Sequence, residues 1–118
     1  MDATRKQQLI DAGIDVDGAL ARFMGNENLL NRFLGKFPAD ENYGKLVAAI
    51  AAGSREDALL AAHTLKGVSG NLSMSRLFEL TDSQVKAMRA DEWDRAFAMM
   101  EDITPIYEQL VQVINDGQ

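Results

Sequence analysis

Ser54-Arg55-Glu56-Asp57-Ala58-Leu59-Leu60-Ala61-Ala62-His63-Thr64-Leu65-Lys66-Gly67-Val68-Ser69-Gly70-Asn71-Leu72 is the stretch whose reading decides the fold. Ser54 is a good N-cap, and Asp57 three residues on gives a start resembling a capping box. Laid out at about 100° per residue, Ala58, Ala62, Leu65, Ser69 and Leu72 fall within roughly 40° of one direction. That stripe is the natural core face of a helix over 55–72. His63 lies about 140° from the centre of the stripe, so the spacing predicts an imidazole turned away from the core. A packed core histidine is the usual reading of a lone His on an apolar face, and here the face argues against it. A solvated histidine of no consequence is the other bland reading.

The rest of the chain extends the helical pattern in both directions. Ala, Leu, Met, Glu, Lys, Arg and Gln dominate, and no alternating apolar and polar run supports a strand. A short helix over 3–12 ends at Gly13, and Asp15 or Asp17 caps a short turn carrying Ala19, Leu20 and Phe23. Asn26 caps a segment with Leu29, Leu30, Phe33, Leu34 and Phe37 at helical spacing, which Pro38 breaks or kinks. The pattern resumes with Tyr43, Leu46, Val47 and Ile50 and stops at Gly53. Beyond the central stretch, Ser73 or Ser75 opens a helix with Leu77, Leu80 and Val85 inward, ending near Ala90. Asp91 is expected to cap a last helix over 92–115, kinked at Pro105, with Trp93, Phe97 and Met100 as its inward stripe. Tight turns force antiparallel neighbours, so the fold class is all-α: an antiparallel up-down four-helix bundle with one or two short extra N-terminal helices. One domain spans 1–118, with 1–14 as a helical extension and the bundle over about 26–116.

Composition removes several classes of function. Twelve basic against 18 acidic side chains give a formal charge of -6, which disfavours wrapping nucleic acid or docking on anionic lipid. There is no cysteine and a single histidine, so thiol catalysis, zinc ribbons and sites needing two histidines are excluded. No metal site is expected. The N-terminal residues have no apolar core like that of a signal peptide, and no stretch approaches the roughly 20 apolar residues that span a bilayer. The expectation is a cytoplasmic, monomeric protein. Neither G-x-x-x-x-G-K-[ST] nor G-x-G-x-x-G is present, so ATP-dependent kinase activity of its own is not expected.

The neighbours of His63 give its position a chemical sense. Leu59, Leu60, Lys66, Gly67 and Gly70 share the outward half of the wheel with it. A glycine inside a helix costs roughly 1 kcal/mol relative to alanine, and two of them on a solvent face bring the core nothing. Their benefit is access beside the imidazole; the competing explanation is an early helix end. Lys66 stands at i+3, where its ammonium can reach a charge held on the ring. A phosphoryl group there would carry nearly two negative charges. Taken alone, Lys66 is an ordinary solvated lysine. Leu59, Leu60 and Gly70 form a candidate docking face.

The segment from Ala62 to Leu72 resembles the signature of histidine-containing phosphotransfer (HPt) domains, roughly A-H-x-L-K-G-x-[AS]-x-x-[LI]-G. Leu20-Ala21-Arg22-Phe23-Met24-Gly25-Asn26-Glu27-Asn28-Leu29-Leu30 is similar to the segment that leads into the first bundle helix of that family. Together with the helix order, the resemblance covers about residues 14–114. It departs at Ser73, where the family often has Gly, and at Gln84-Val85, where a Leu-Glu pair is common. The resemblance implies a phosphorelay intermediate: His63 accepts a phosphoryl group from an aspartyl phosphate on a receiver domain and passes it to another response-regulator aspartate. It implies that Lys66 steadies the phosphate and that Gly67 leaves room beside the ring. Partners would be receiver domains of response regulators or hybrid sensor histidine kinases. The chain would hold no cofactor, magnesium belonging to the receiver's acidic pocket. The alternative is a non-catalytic helical adaptor that binds a partner helix in an exposed groove.

Overall fold

The computed structural model describes residues 1–117, and these are helical almost throughout. The helices are α1 (Ala3–Asp11), α2 (Val16–Arg22), α3 (Glu27–Lys36), α4 (Asn42–Ala51), α5 (Arg55–Asn71), α6 (Ser75–Arg89), α7 (Trp93–Ala98) and α8 (Met100–Asp116), with one 3-10 turn at Phe37–Ala39. Among the described residues there is no strand, and no helix is long and apolar enough to cross a membrane.

Among the described residues, side-chain caps set four of the eight α-helix starts. Asp2, Asp15, Asn26 and Ser54 accept from the backbone N–H of Arg5, Gly18, Leu29 and Asp57 respectively, each satisfying one of the free amides of a first turn. Only half of the expected capping box forms at Ser54, whose own N–H is taken by Ala49 O. Pro38 falls in the 3-10 turn, so α3 and α4 form one long arm bent between them. Gly53, at φ +70°, turns the chain from α4 into α5. The turns at 52–54 and 72–74 are short enough to make α4, α5 and α6 antiparallel neighbours, and the most extensive helix contacts are α4 with α5 and α5 with α6. The bent α3–α4 arm, α5, α6 and the α7–α8 arm make the four-helix bundle, and the molecule with α1 and α2 measures 43 × 23 × 19 Å.

The core face expected of α5 is the one observed. Ala58, Ala62, Leu65 and Ser69 are fully buried, Leu72 nearly so, and Ala61 joins them. The alanines let α4 and α6 come close to α5, while Leu65 fills the centre. The N-terminal helix shares this core rather than standing apart from it. Leu9 and Ala12 are buried with the bundle residues, and the Arg5 guanidinium donates to Val113 O near the end of α8.

Two expectations about the C-terminal arm are corrected. Asp91 does not cap the last helix. It sits at φ +62° and closes α6, with the Glu92 N–H bonded to Ala87 O at 2.9 Å, the wide bond of a Schellman ending. Nor is the helix expected over 92–115 continuous. The helix is interrupted at Met99, between α7 and α8, and Pro105 lies inside α8. At that interruption Gln84, buried on α6, donates from Nε2 to Ala96 O at 3.0 Å. In an unbroken helix that carbonyl would serve the Met100 N–H. The carbonyl that Pro105 leaves without a donor belongs to Glu101, which is exposed and open to water. Of the two serines expected to open α6, Ser75 is its first residue, while Ser73 adopts φ +53° and Met74 is the N-cap. Phe33, expected inward, is 40% exposed.

Candidate functional site

His63 stands in the middle of α5, two turns from either end, with its side chain exposed. The reason is the wheel: burying Ala62 and Leu65, both at 0% exposure, leaves position 63 no direction but outward. Helix α5 continues through Gly67 and Gly70 to Asn71, which removes the early-end explanation of the glycines. A methyl group built at Gly67 would meet nothing within 4 Å. One turn beyond the imidazole, the surface is therefore open.

The other expected neighbours divide between the two sides of His63. Leu60 is 66% exposed and lies on the α4 side, where a groove of about 690 Å³ is lined by Lys45, Ala48, Ala52, Ser54, Leu60 and Thr64. Leu59 packs partly against the core instead of presenting itself to solvent. Gly70 is a second correction, because a methyl group there would touch the Phe78 ring at 3.4 Å. This glycine therefore faces the Phe78 ring of α6 and is not open like Gly67. Leu60 alone of the three expected docking residues offers a large exposed surface.

Lys66 is not a free surface lysine. Its Nζ lies 3.0 Å from Asp82 Oδ1 on α6 and 5.9 Å from the centre of the Phe78 ring. Asp82 Oδ2 is 2.9 Å from Lys86 Nζ. The Lys66 and Asp82 side chains are only 25% and 24% exposed. Lys86 and then Lys66, donating to the carboxylate, hold the Asp82 carboxyl below its ordinary pKa. Asp82 was missed by sequence reasoning. It lies 19 positions beyond His63 on another helix, so only the α5–α6 pairing brings it to Lys66. Its i,i+4 relation to Lys86 was the one signal available.

Among the described residues, no group of three or more His, Asp or Glu side chains could hold a metal ion. A helical bundle that presents one histidine from the middle of a helix, beside an open glycine and a largely buried lysine, defines a surface-display module. The ring itself faces solvent. The family model of the Hpt domain matches residues 29–113, and the chain belongs to that family. No curated protein and no solved structure matches it. Hpt domains interact with receiver domains in phosphorelays, and membership gives this chain a histidine phosphotransfer role.

Proposed function

We propose that His63 is the phosphoryl acceptor of a receiver-to-receiver relay. The observation that carries this reading is the exposed imidazole in mid-α5 beside the open space at Gly67. A neutral ring nitrogen attacks the phosphorus of an aspartyl phosphate on the receiver. The N–P bond forms as the P–O bond to the aspartyl carboxylate breaks. The carboxylate leaves with the bonding pair, and the proton of the other ring nitrogen passes to water. The reverse sequence on a second receiver returns the phosphoryl group to an aspartate. Phosphoryl transfer depends mainly on positioning and charge stabilisation. The rigid bundle supplies the position and Lys66 supplies a nearby positive charge.

Magnesium and the acidic pocket belong to the receiver, and this chain works as a monomer in the cytoplasm. Leu60 and Gly67 lie where the receiver closes over the ring. The chain neither binds ATP nor phosphorylates itself. Incubation with a phosphorylated receiver tests the reading: this chain should gain acid-labile phosphate, and His63→Gln should gain none with its helicity unchanged. The α4–α5 groove beside Leu60 supports the adaptor as a second reading. A partner bound equally well by His63→Gln, together with no labelling of either chain, would favour the adaptor.

A further inference from the structure

We propose that Asp82 is a positioning residue that keeps Lys66 beside His63 in an exchangeable ion pair, with Lys86 retaining Asp82 when Lys66 turns to a phosphoryl group. The inference rests on the reading of His63 as the phosphoryl acceptor.

The geometry has three parts. Lys66 and Lys86 bind different oxygens of one carboxylate, at 3.0 and 2.9 Å. Lys66 stands one turn along α5 from His63, and its stem runs toward α6 over Phe78. The three partners differ in exposure: Lys66 and Asp82 are three-quarters buried, while Lys86 is 74% exposed and free to follow Asp82. In the resting protein Asp82 neutralises Lys66 and fixes a long side chain that would otherwise sample many rotamers. A phosphoryl group carrying nearly two charges outcompetes a single carboxylate for the ammonium. Lys86 makes the exchange possible, because Asp82 is not left without a cation when Lys66 departs. Two ammoniums and one carboxylate leave the cluster one positive charge, the sign a phosphoryl group needs.

Asp82→Asn and Lys86→Ala should therefore act in opposite directions. Without the Asp82 charge, Lys66 is released to the phosphoryl group, and the equilibrium partition of phosphate between receiver and this chain should move toward this chain by about two- to fivefold, the range of a partly exposed ion pair. Without Lys86, Asp82 holds Lys66 more tightly, and the partition should move toward the receiver. Lys66→Ala should abolish the effect of Asp82→Asn, and Asp82→Glu should keep the wild-type behaviour. A parallel measurement needs no phosphate: limited acylation of lysines in the unmodified protein, mapped by mass spectrometry. Lys66 should react faster in Asp82→Asn and more slowly in Lys86→Ala, since an ammonium held against a carboxylate is less accessible to the reagent. Shifts of the two variants in the same direction, or an Asp82→Asn effect that persists without Lys66, would overturn the proposal. If the wild-type chain takes up no phosphate, the functional reading fails, and the acylation pattern alone decides whether Asp82 holds Lys66.

Discussion

Gly67 separates the demands of folding from those of access. It lies inside α5 at a helical backbone conformation, and a Cβ there meets no atom within 4 Å. Nothing in the fold requires glycine. Replacing it with alanine removes the helix penalty of glycine and should stabilise the protein by about 1 kcal/mol. For a domain of this size that is a rise in melting temperature of roughly 4 °C. Gly67→Leu should also be at least as stable as the wild type, because leucine is nearly as good a helix former and its side chain enters open space. The same side chain stands over the surface beside His63, where Cβ atoms one turn apart are about 5–6 Å from each other. A receiver pocket that must close on the ring would be held off, and a displacement of about 1 Å at the reacting centre costs on the order of 100-fold in rate. Thermal unfolding followed by circular dichroism reads the first effect, and transfer from a phosphorylated receiver reads the second. Gly67→Leu that is stabilised yet transfers at the wild-type rate would refute the access argument. A destabilised Gly67→Ala would refute the packing argument.

Three further outcomes follow from the same structure. Leu65→Ala deletes a fully buried side chain at the centre of α5 and should cost about 2–5 kcal/mol in denaturant unfolding; a loss below 1 kcal/mol would mean the site collapses around the void. Lys66→Ala should slow phosphoryl transfer with little change in melting temperature, since exposed or partly exposed ion pairs contribute about 0–1 kcal/mol; normal transfer rates would remove Lys66 from the site. The Tyr107 hydroxyl has its pKa raised, first by burial and then by the charges of Asp40 and Tyr43. Its contribution to stability is thus complete below the ordinary tyrosine value of about 10 and lost as pH rises through the raised one. Tyr107→Phe should flatten the alkaline fall in stability, and an unchanged slope would contradict that assignment.

The sequence was most legible where one helix could be read alone. The α5 wheel located every core residue it named and turned His63 outward, because burial of small residues at i, i+3, i+4 and i+7 leaves little choice of face. Caps at Asp15, Asn26 and Ser54 were equally local. The failures at the site involve a second helix, while those at Asp91 and Ser73 are left-handed turns. Gly70 reads as an outward glycine until Phe78 packs on it, and Leu59 reads as exposed until the bundle closes over it. Lys66 reads as free until α6 brings Asp82 to it. At the interruption at Met99 the Gln84 amide reaches Ala96 O across the bundle, a contact that the pattern of the last helix alone does not announce. Gln84 Oε1 is buried without a hydrogen-bond partner, an arrangement no pattern of apolar residues announces.

His63 is the residue proposed to carry the phosphoryl group. The most direct test is to incubate the chain with a phosphorylated receiver and locate the acid-labile phosphate by peptide mapping under alkaline conditions. All of the label is expected on the peptide carrying His63, and none is expected on His63→Gln. Label on another residue, or equal labelling of His63→Gln, would contradict the claim.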